Sequence, residues 1–150
     1  MPYKKQLKTT SSDGMFVIAH LLLVKNLCWY DLRKLSGFLK KAEVVFALED
    51  EKEVGFALFF HNFSTFLGRA GIYLEDLFVK PEYRGKGYGK GLLKKLAQIA
   101  KERGSGRLEW WCLDWNKPSI DFYLSLGAEP MDEWTTYRIA GETLDNLARE

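Results

Sequence analysis

Hydrophobic and polar residues change rhythm several times along the chain, and each change marks an element. EVVFALED (Glu43–Asp50) and EVGFALFFHNF (Glu53–Phe63) are rich in β-branched and aromatic residues and are separated by the acidic run EDEKE, which predicts an antiparallel hairpin. GIYLEDLFV (Gly71–Val79) predicts a third strand, stopped at Lys80-Pro81 because proline cannot donate to a ladder. Leu92, Leu93, Leu96, Ala97, Ile99 and Ala100 then share one helical face, with Lys90, Lys94, Lys95, Gln98 and Lys101 on the other. Gly104 is a natural stop for that helix. RLEWWCLDW predicts a strand, KPSIDFYLSLG a short helix with Pro118 near its first turn, EWTTYRIA another strand, and GETLDNLARE a C-terminal helix. A polar leader, residues 1–14, is expected to be flexible, and residues 15–40 are apolar with helical spacing at Leu27, Tyr30, Leu35 and Phe38. The sum is a mixed α/β (α+β) single domain over residues 1–150, centred on a strand–glycine loop–helix unit.

Composition narrows the class. The 150 residues are 47% hydrophobic and 28% charged, enough for one domain with a real core. Net charge is only +2, but nine Lys or Arg residues and two acids lie between Lys80 and Arg107. The basic helix lacks interleaved exposed aromatics, which argues against a nucleic-acid partner. The apolar run Met15–Val24 is too short to span a bilayer and is not followed by a small-residue cleavage site, so no membrane partner is expected. Cys28 and Cys112 form neither a disulfide framework nor a zinc site, and two buried thiols suit a reducing, cytoplasmic setting. His20 and His61 are read as structural, and no metal is expected.

Gly85, Gly87, Gly89 and Gly91 alternate through the junction between strand and helix, with Arg84, Lys86 and Lys90 among them. A helix N-terminus presents amide N–H groups and partial positive charge, and glycines let a ligand approach the backbone closely. Two phosphate loops can be excluded. A Walker A loop needs glycine where Lys90 stands and lysine where Gly91 stands, and G-x-G-x-x-G counted from Gly85 also meets Lys90 at its last glycine. What remains is Arg84-x-x-Gly87-x-Gly89.

That R-x-x-G-x-G segment resembles the acetyl-CoA pyrophosphate loop of the GNAT-type N-acetyltransferases. Together with YLEDLFVKPEYRGKGYGKGLLKKLAQIA, LDWNKPSIDFYLSLGA and EWTTYRI, the chain from about Val54 onward is similar to the branch that acetylates diamines, polyamines (spermidine/spermine) and thialysine. The resemblance implies acetyl-CoA as co-substrate, with Arg84, Gly85, Lys86, Gly87, Tyr88, Gly89 and Lys90 at its pyrophosphate. It implies the pantetheine arm along Leu77, Phe78 and Val79, and Asn116, Lys117, Pro118 and Ser119 on the far side. It further implies a homodimer joined through the C-terminal strands around Trp134–Ile139. The front of the chain departs from the pattern: of the two helices expected after the first strand, the second is shortened or missing.

Acyl transfer to an alkylamine, whose pKa is about 10.4, requires a proton acceptor, and the departing thiolate benefits from an acid. The resemblance assigns Glu75 to the amine proton, through water, and Tyr123 to the thiol. Glu75 and Asp76 are successive strand residues, so alternation is expected to turn only one of them directly toward the acceptor. Carboxylates and aromatic faces attract a small cation, which makes Glu75, Asp76, Glu109, Trp110, Trp111 and Trp134 candidates for the substrate site. Transfer in a ternary complex to thialysine, a diamine or a polyamine is the leading reading. A protein N-terminus or other amino compound as acceptor, and a catalytically weak CoA-binding regulatory module, are the alternatives.

Overall fold

The computed structural model describes residues 6–9 and 42–150. The apolar run at 15–24, the helical spacing at 27–38, the shortened N-terminal helices, His20 and Cys28 lie outside the described residues. The chain divides into two compact units, Met1–Trp111 and Cys112–Glu150.

The first unit is built on a five-stranded sheet in the order β1 (Gln6–Thr9), β2 (Ala42–Glu49), β3 (Lys52–Ser64), β4 (Arg69–Val79), β5 (Leu108–Glu109). All neighbours are antiparallel except β4 and β5. β1 lies in the stretch read as a leader; it pairs Gln6–Thr9 with Leu48–Val45 and so covers an edge that β2 would otherwise leave open. The predicted hairpin is β2–β3, closed at Asp50 and Glu51, whose φ values of +50° and +63° suit the two-residue turns that match strand twist. Its alternate residues Val44, Phe46, Leu48, Phe56 and Leu58 form a buried cluster on one face, with Phe78 of β4 packed against them.

The opposite face receives α1 (Tyr88–Glu102). Leu92, Leu93, Leu96, Ile99 and Ala100 are buried as the spacing predicted, whereas Ala97 is exposed. The helix ends at Arg103, with Gly104 at φ +67°. Arg103 donates to both oxygens of Glu43 and lies 3.0 Å from His61 Nε2, while the other ring nitrogen of His61 meets the Gly71 carbonyl at 3.1 Å. The guanidinium also lies 6.0 Å from the Phe59 ring centre. The C-terminal end of α1 is thus tied to β2 and β3, with His61 between Arg103 and the Gly71 carbonyl.

Two strand expectations need correction. RLEWWCLDW is a strand only at Leu108–Glu109, because its ladder with β4 stops at Tyr73↔Glu109, just before β4 bulges. EWTTYRIA is not a strand: among the described residues, 133–140 make no ladder, and an alternating pattern needs a neighbouring strand to receive its backbone bonds. The second unit otherwise holds the two helices expected of it, α2 (Lys117–Leu124) and α3 (Glu142–Leu147).

Glu51→Gly is expected to stabilise the protein by about 0.5 kcal/mol in urea unfolding, since relief of left-handed strain slightly outweighs glycine's entropy. The hydrogen bond from Arg103 holds the Glu43 carboxyl below its ordinary value, against the opposing effect of burial. A lowered folded-state pKa contributes stability above the unfolded value and loses it as pH falls through the folded one. Glu43→Gln should therefore be less stable than the parent at neutral pH, with the gap closing under acid, in unfolding curves taken across that range.

Candidate active site

β4 is paired with β3 from Arg69 to Val79 apart from one residue, and with β5 only in its first half. On the β3 side Leu58 faces Asp76 and Phe59 faces Leu74, so Glu75 has no partner and is the extra residue of a β-bulge. On the β5 side only Ile72 and Tyr73 are paired. Beyond the bulge, Lys80 N–H donates to the Val54 carbonyl at 2.9 Å. Ladder groups alternate in direction along a strand, so Leu77 and Val79 turn their N–H and C=O groups away from β3, toward the side β5 does not reach. Arg84 Nε donates to the Val79 carbonyl there at 2.9 Å, and its guanidinium sits 6.0 Å from the Phe78 ring centre.

The strand leads through a single 3-10 turn, Pro81–Tyr83, into the glycines. Gly85 and Gly87 have φ of +73° and +83°, and Gly87 is the N-cap of α1. These two positions require glycine. Gly89 and Gly91 lie inside α1, and a Cβ at Gly91 would meet open space, so backbone strain does not explain all four. A helix leaves its first amides without intrahelical acceptors, and this one has no acid in its first turn and Lys90 within it. Tyr88 presents only its backbone to the loop: its side chain is 4% exposed and its hydroxyl donates to Glu49 at 2.8 Å. Burial first, then Glu49, pushes the Tyr88 pKa up to about 12. Lys86 Nζ lies 3.5 Å from the same carboxylate and 4.8 Å above the Tyr83 ring. Glu49 was not singled out in the sequence, where it reads as a turn residue; only its distance in space from Tyr88 reveals it.

The bulge also breaks the alternation expected for Glu75 and Asp76. Phe60 faces Tyr73 and Leu58 faces Asp76, so Tyr73 and Asp76 share a sheet face although they are three positions apart, an odd spacing that would otherwise put them on opposite faces. On that face the Tyr73 ring packs on Phe60 at 5.1 Å and edge-on to Trp111 at 5.8 Å. Burial, with the charges of Glu75 and Glu109, pushes the Tyr73 pKa up to about 12. Two carboxylates therefore lie close to a row of aromatic rings. Glu75 is exposed; Glu109 is engaged, ion-paired to Arg107 at 2.8 Å and accepting from Asn62 Nδ2 at 2.7 Å. Trp111 is exposed and Trp110 half-buried.

The second unit carries the remaining candidates. Asn116 precedes α2, and its carbonyl accepts from Ser119 and Ile120 at 3.0 Å. Pro118 occupies the first turn, where a missing N–H costs nothing, and Lys117 pairs with Asp121 one turn on. Tyr123 is half-buried beside Phe122, and burial, then Cys112, raises its pKa, so the hydroxyl keeps its proton at neutral pH. Trp134 is 78% exposed.

Within the first unit, β4 and the turn into α1 fit a CoA-like group. The open β4 edge offers amide partners to an amide-bearing arm, and the turn into α1 offers backbone N–H groups and Lys90 to a pyrophosphate. Among the described residues no cluster of three His, Cys, Asp or Glu side chains could hold a metal ion, and no helix is long and apolar enough to cross a membrane.

A sequence model of the Acetyltransferase (GNAT) family matches residues 16–128. An L-ornithine N5-acetyltransferase of Arabidopsis thaliana is 44% identical over 100 residues, covering 67% of this chain and 44% of the relative. A thialysine N-epsilon-acetyltransferase of Bos taurus is 45% identical over 98 residues, covering 63% and 57%. The chain thus spans about half the length of the curated relatives it matches. Among solved structures, an integron cassette protein from the mobile metagenome of V. cholerae superposes with a TM-score of 0.76 at 32% identity, covering 87% of this chain and 84% of that one. The glycine turn into α1, the half-paired β4 and the match over residues 16–128 agree: the chain belongs to the GNAT family of acetyltransferases.

Proposed function

We propose that this protein is an acetyl-CoA-dependent N-acetyltransferase acting on a primary amine of a small cationic acceptor of the thialysine, ornithine, diamine or polyamine type. The observation that carries this reading is β4 itself, which leads from the carboxylate and aromatic face at Tyr73–Asp76 to the glycine turn at the α1 N-terminus. The names of the relatives, which act on ornithine and thialysine, support a small amine.

Bound acetyl-CoA supplies an acyl group activated as a thioester. The outward N–H and C=O of Leu77 and the N–H of Val79, whose carbonyl already accepts from Arg84, would hold its arm, and Gly85, Gly87, Gly89 and Lys90 would hold its phosphates. Phe60, Tyr73 and Trp111 favour an ammonium ion, and Asp76 adds charge on the same face. An amine with a pKa of about 10.4 is protonated at neutral pH, so Glu75 accepts its proton, directly or through water, before the nitrogen attacks. The resemblance gives Tyr123 as the general acid: as the amine nitrogen bonds to the acyl carbon and the C–S bond breaks, its hydroxyl would protonate the departing thiolate. The raised pKa of Tyr123 keeps that proton available. Glu109, held by Arg107 and Asn62, has a weaker claim on the substrate than Glu75. A homodimer belongs to the same reading, favoured by the exposed Trp134, Tyr137 and Ile139.

CoA and acetyl-CoA should each raise the melting temperature; no shift with either would remove the cofactor assignment. Tyr123→Phe should lower kcat by about a hundredfold while leaving CoA affinity within about twofold, as loss of a general acid does. In a thiol-release assay over thialysine, ornithine, putrescine, spermidine and lysine, at least one amine should turn over in the wild type, and Glu75→Gln should slow it. Binding of CoA with no turnover on any amine would favour the regulatory module instead.

A further inference from the structure

Gly85 and Gly87 carry positive φ values and no side chains, so the turn that faces the phosphates cannot hold its own shape through packing at those positions. Its restraint comes from the neighbours. Tyr88, the first residue of α1, is buried, and its hydroxyl reaches Glu49 Oε1 at 2.8 Å. Lys86, between the two glycines, lies 3.5 Å from both oxygens of the same carboxylate. Tyr83, at the end of the preceding turn, stacks edge-on to Tyr88 at 6.5 Å and lies under the Lys86 ammonium. Glu49 is the last residue of β2 and is paired with Lys52 across a tight hairpin, so its backbone is fixed by the sheet. One carboxylate thus holds both sides of the turn: Lys86 before Gly87 and Tyr88 after it.

We propose that Glu49 is a positioning residue for the phosphate-binding turn: by accepting the Tyr88 hydroxyl and facing Lys86, it sets the first turn of α1 and the Lys86 ammonium in the orientation that receives the cofactor's phosphates. This rests on the CoA reading above. It makes the end of the β2–β3 hairpin, distant in sequence from the glycines, a determinant of cofactor affinity. Glu49 does not touch the ligand; it acts through Tyr88 and Lys86. A neutral glutamine keeps an oxygen that can accept the Tyr88 hydroxyl, whereas alanine does not, and Tyr88→Phe removes the donor while keeping the ring in the core.

The test combines calorimetric titration with CoA, urea unfolding, and amide exchange at Gly91, whose N–H donates to Gly87 O at 3.0 Å and so reports the first turn of α1. Glu49→Ala and Tyr88→Phe should each weaken CoA binding by about tenfold, Glu49→Gln should stay within about threefold, and the double Glu49→Ala/Tyr88→Phe should be no weaker than the singles, as expected of one shared path. Exchange at Gly91 should quicken in the two weakened variants and not in Glu49→Gln. Arg103→Ala, which loosens the far end of α1, should lower stability and leave CoA affinity unchanged. Wild-type affinity in Glu49→Ala and Tyr88→Phe, or Glu49→Gln as weak as Glu49→Ala, would overturn the proposal. If wild type itself fails to bind CoA, the functional reading falls, and Gly91 exchange still decides whether Glu49 holds the turn.

Discussion

The site depends on the unequal pairing of β4. β3 pairs with it on both sides of the bulge, as far as Val79, while β5 leaves it after Tyr73. A fully paired β4 would have no outward N–H or C=O groups to offer a ligand, and an unpaired one would not hold its shape. The bulge at Glu75 marks the change. An extra residue on one strand bends it locally and increases its twist, and here it lies where the parallel ladder to β5 ends. The same insertion puts Asp76 on the face of Tyr73, bringing carboxylates toward a row of aromatic rings.

The glycine turn can be permissive because α1 is not. Leu92 and Leu96 are fully buried, and each buried leucine of this kind contributes about 1.5–3 kcal/mol relative to exposure. Side-chain bonds then fix the two ends of the helix to the sheet, Tyr88 to Glu49 at the start and Arg103 to Glu43 at the finish. Between these anchors the axis is set, so the amides of the first turn point in a defined direction without any side chain at the N-cap to aim them. The Tyr88 bond matters more than an exposed pair would, because a buried hydroxyl without a partner costs about 1–3 kcal/mol.

Charge is divided between the turn into α1 and the sheet beside Tyr73. Lys86 and Lys90 gather at the α1 end, while Glu75, Asp76 and Glu109 gather near Tyr73. Not every carboxylate is equally available: Arg107 and Asn62 hold Glu109, whereas Glu75, as the bulge residue, is exposed. The roles of these groups differ through their neighbours, not their chemistry.

The sequence by itself determined the elements whose signals are local. The hairpin, β4, α1 with its Gly104 stop, α2 and the glycine turn follow from alternation, helical periodicity, proline and glycine placement, all within a few residues of chain. The resemblance carried by R-x-x-G-x-G and the asparagine–proline segment led to the family for the same reason, since contiguous residues build that turn. Tertiary structure alone decided what depends on partners distant in sequence. Pairing between β3 and β4 produced the bulge that overturned simple alternation at Glu75 and Asp76, and the early end of the β4–β5 ladder shortened RLEWWCLDW to two residues. EWTTYRIA, with strand-like composition, makes no ladder among the described residues, because a strand exists only with a neighbour to bond. Glu49, thirty-nine positions from Tyr88, bonds to it for the same physical reason: a hydrogen bond depends on proximity in space, and no spacing in the chain announces it.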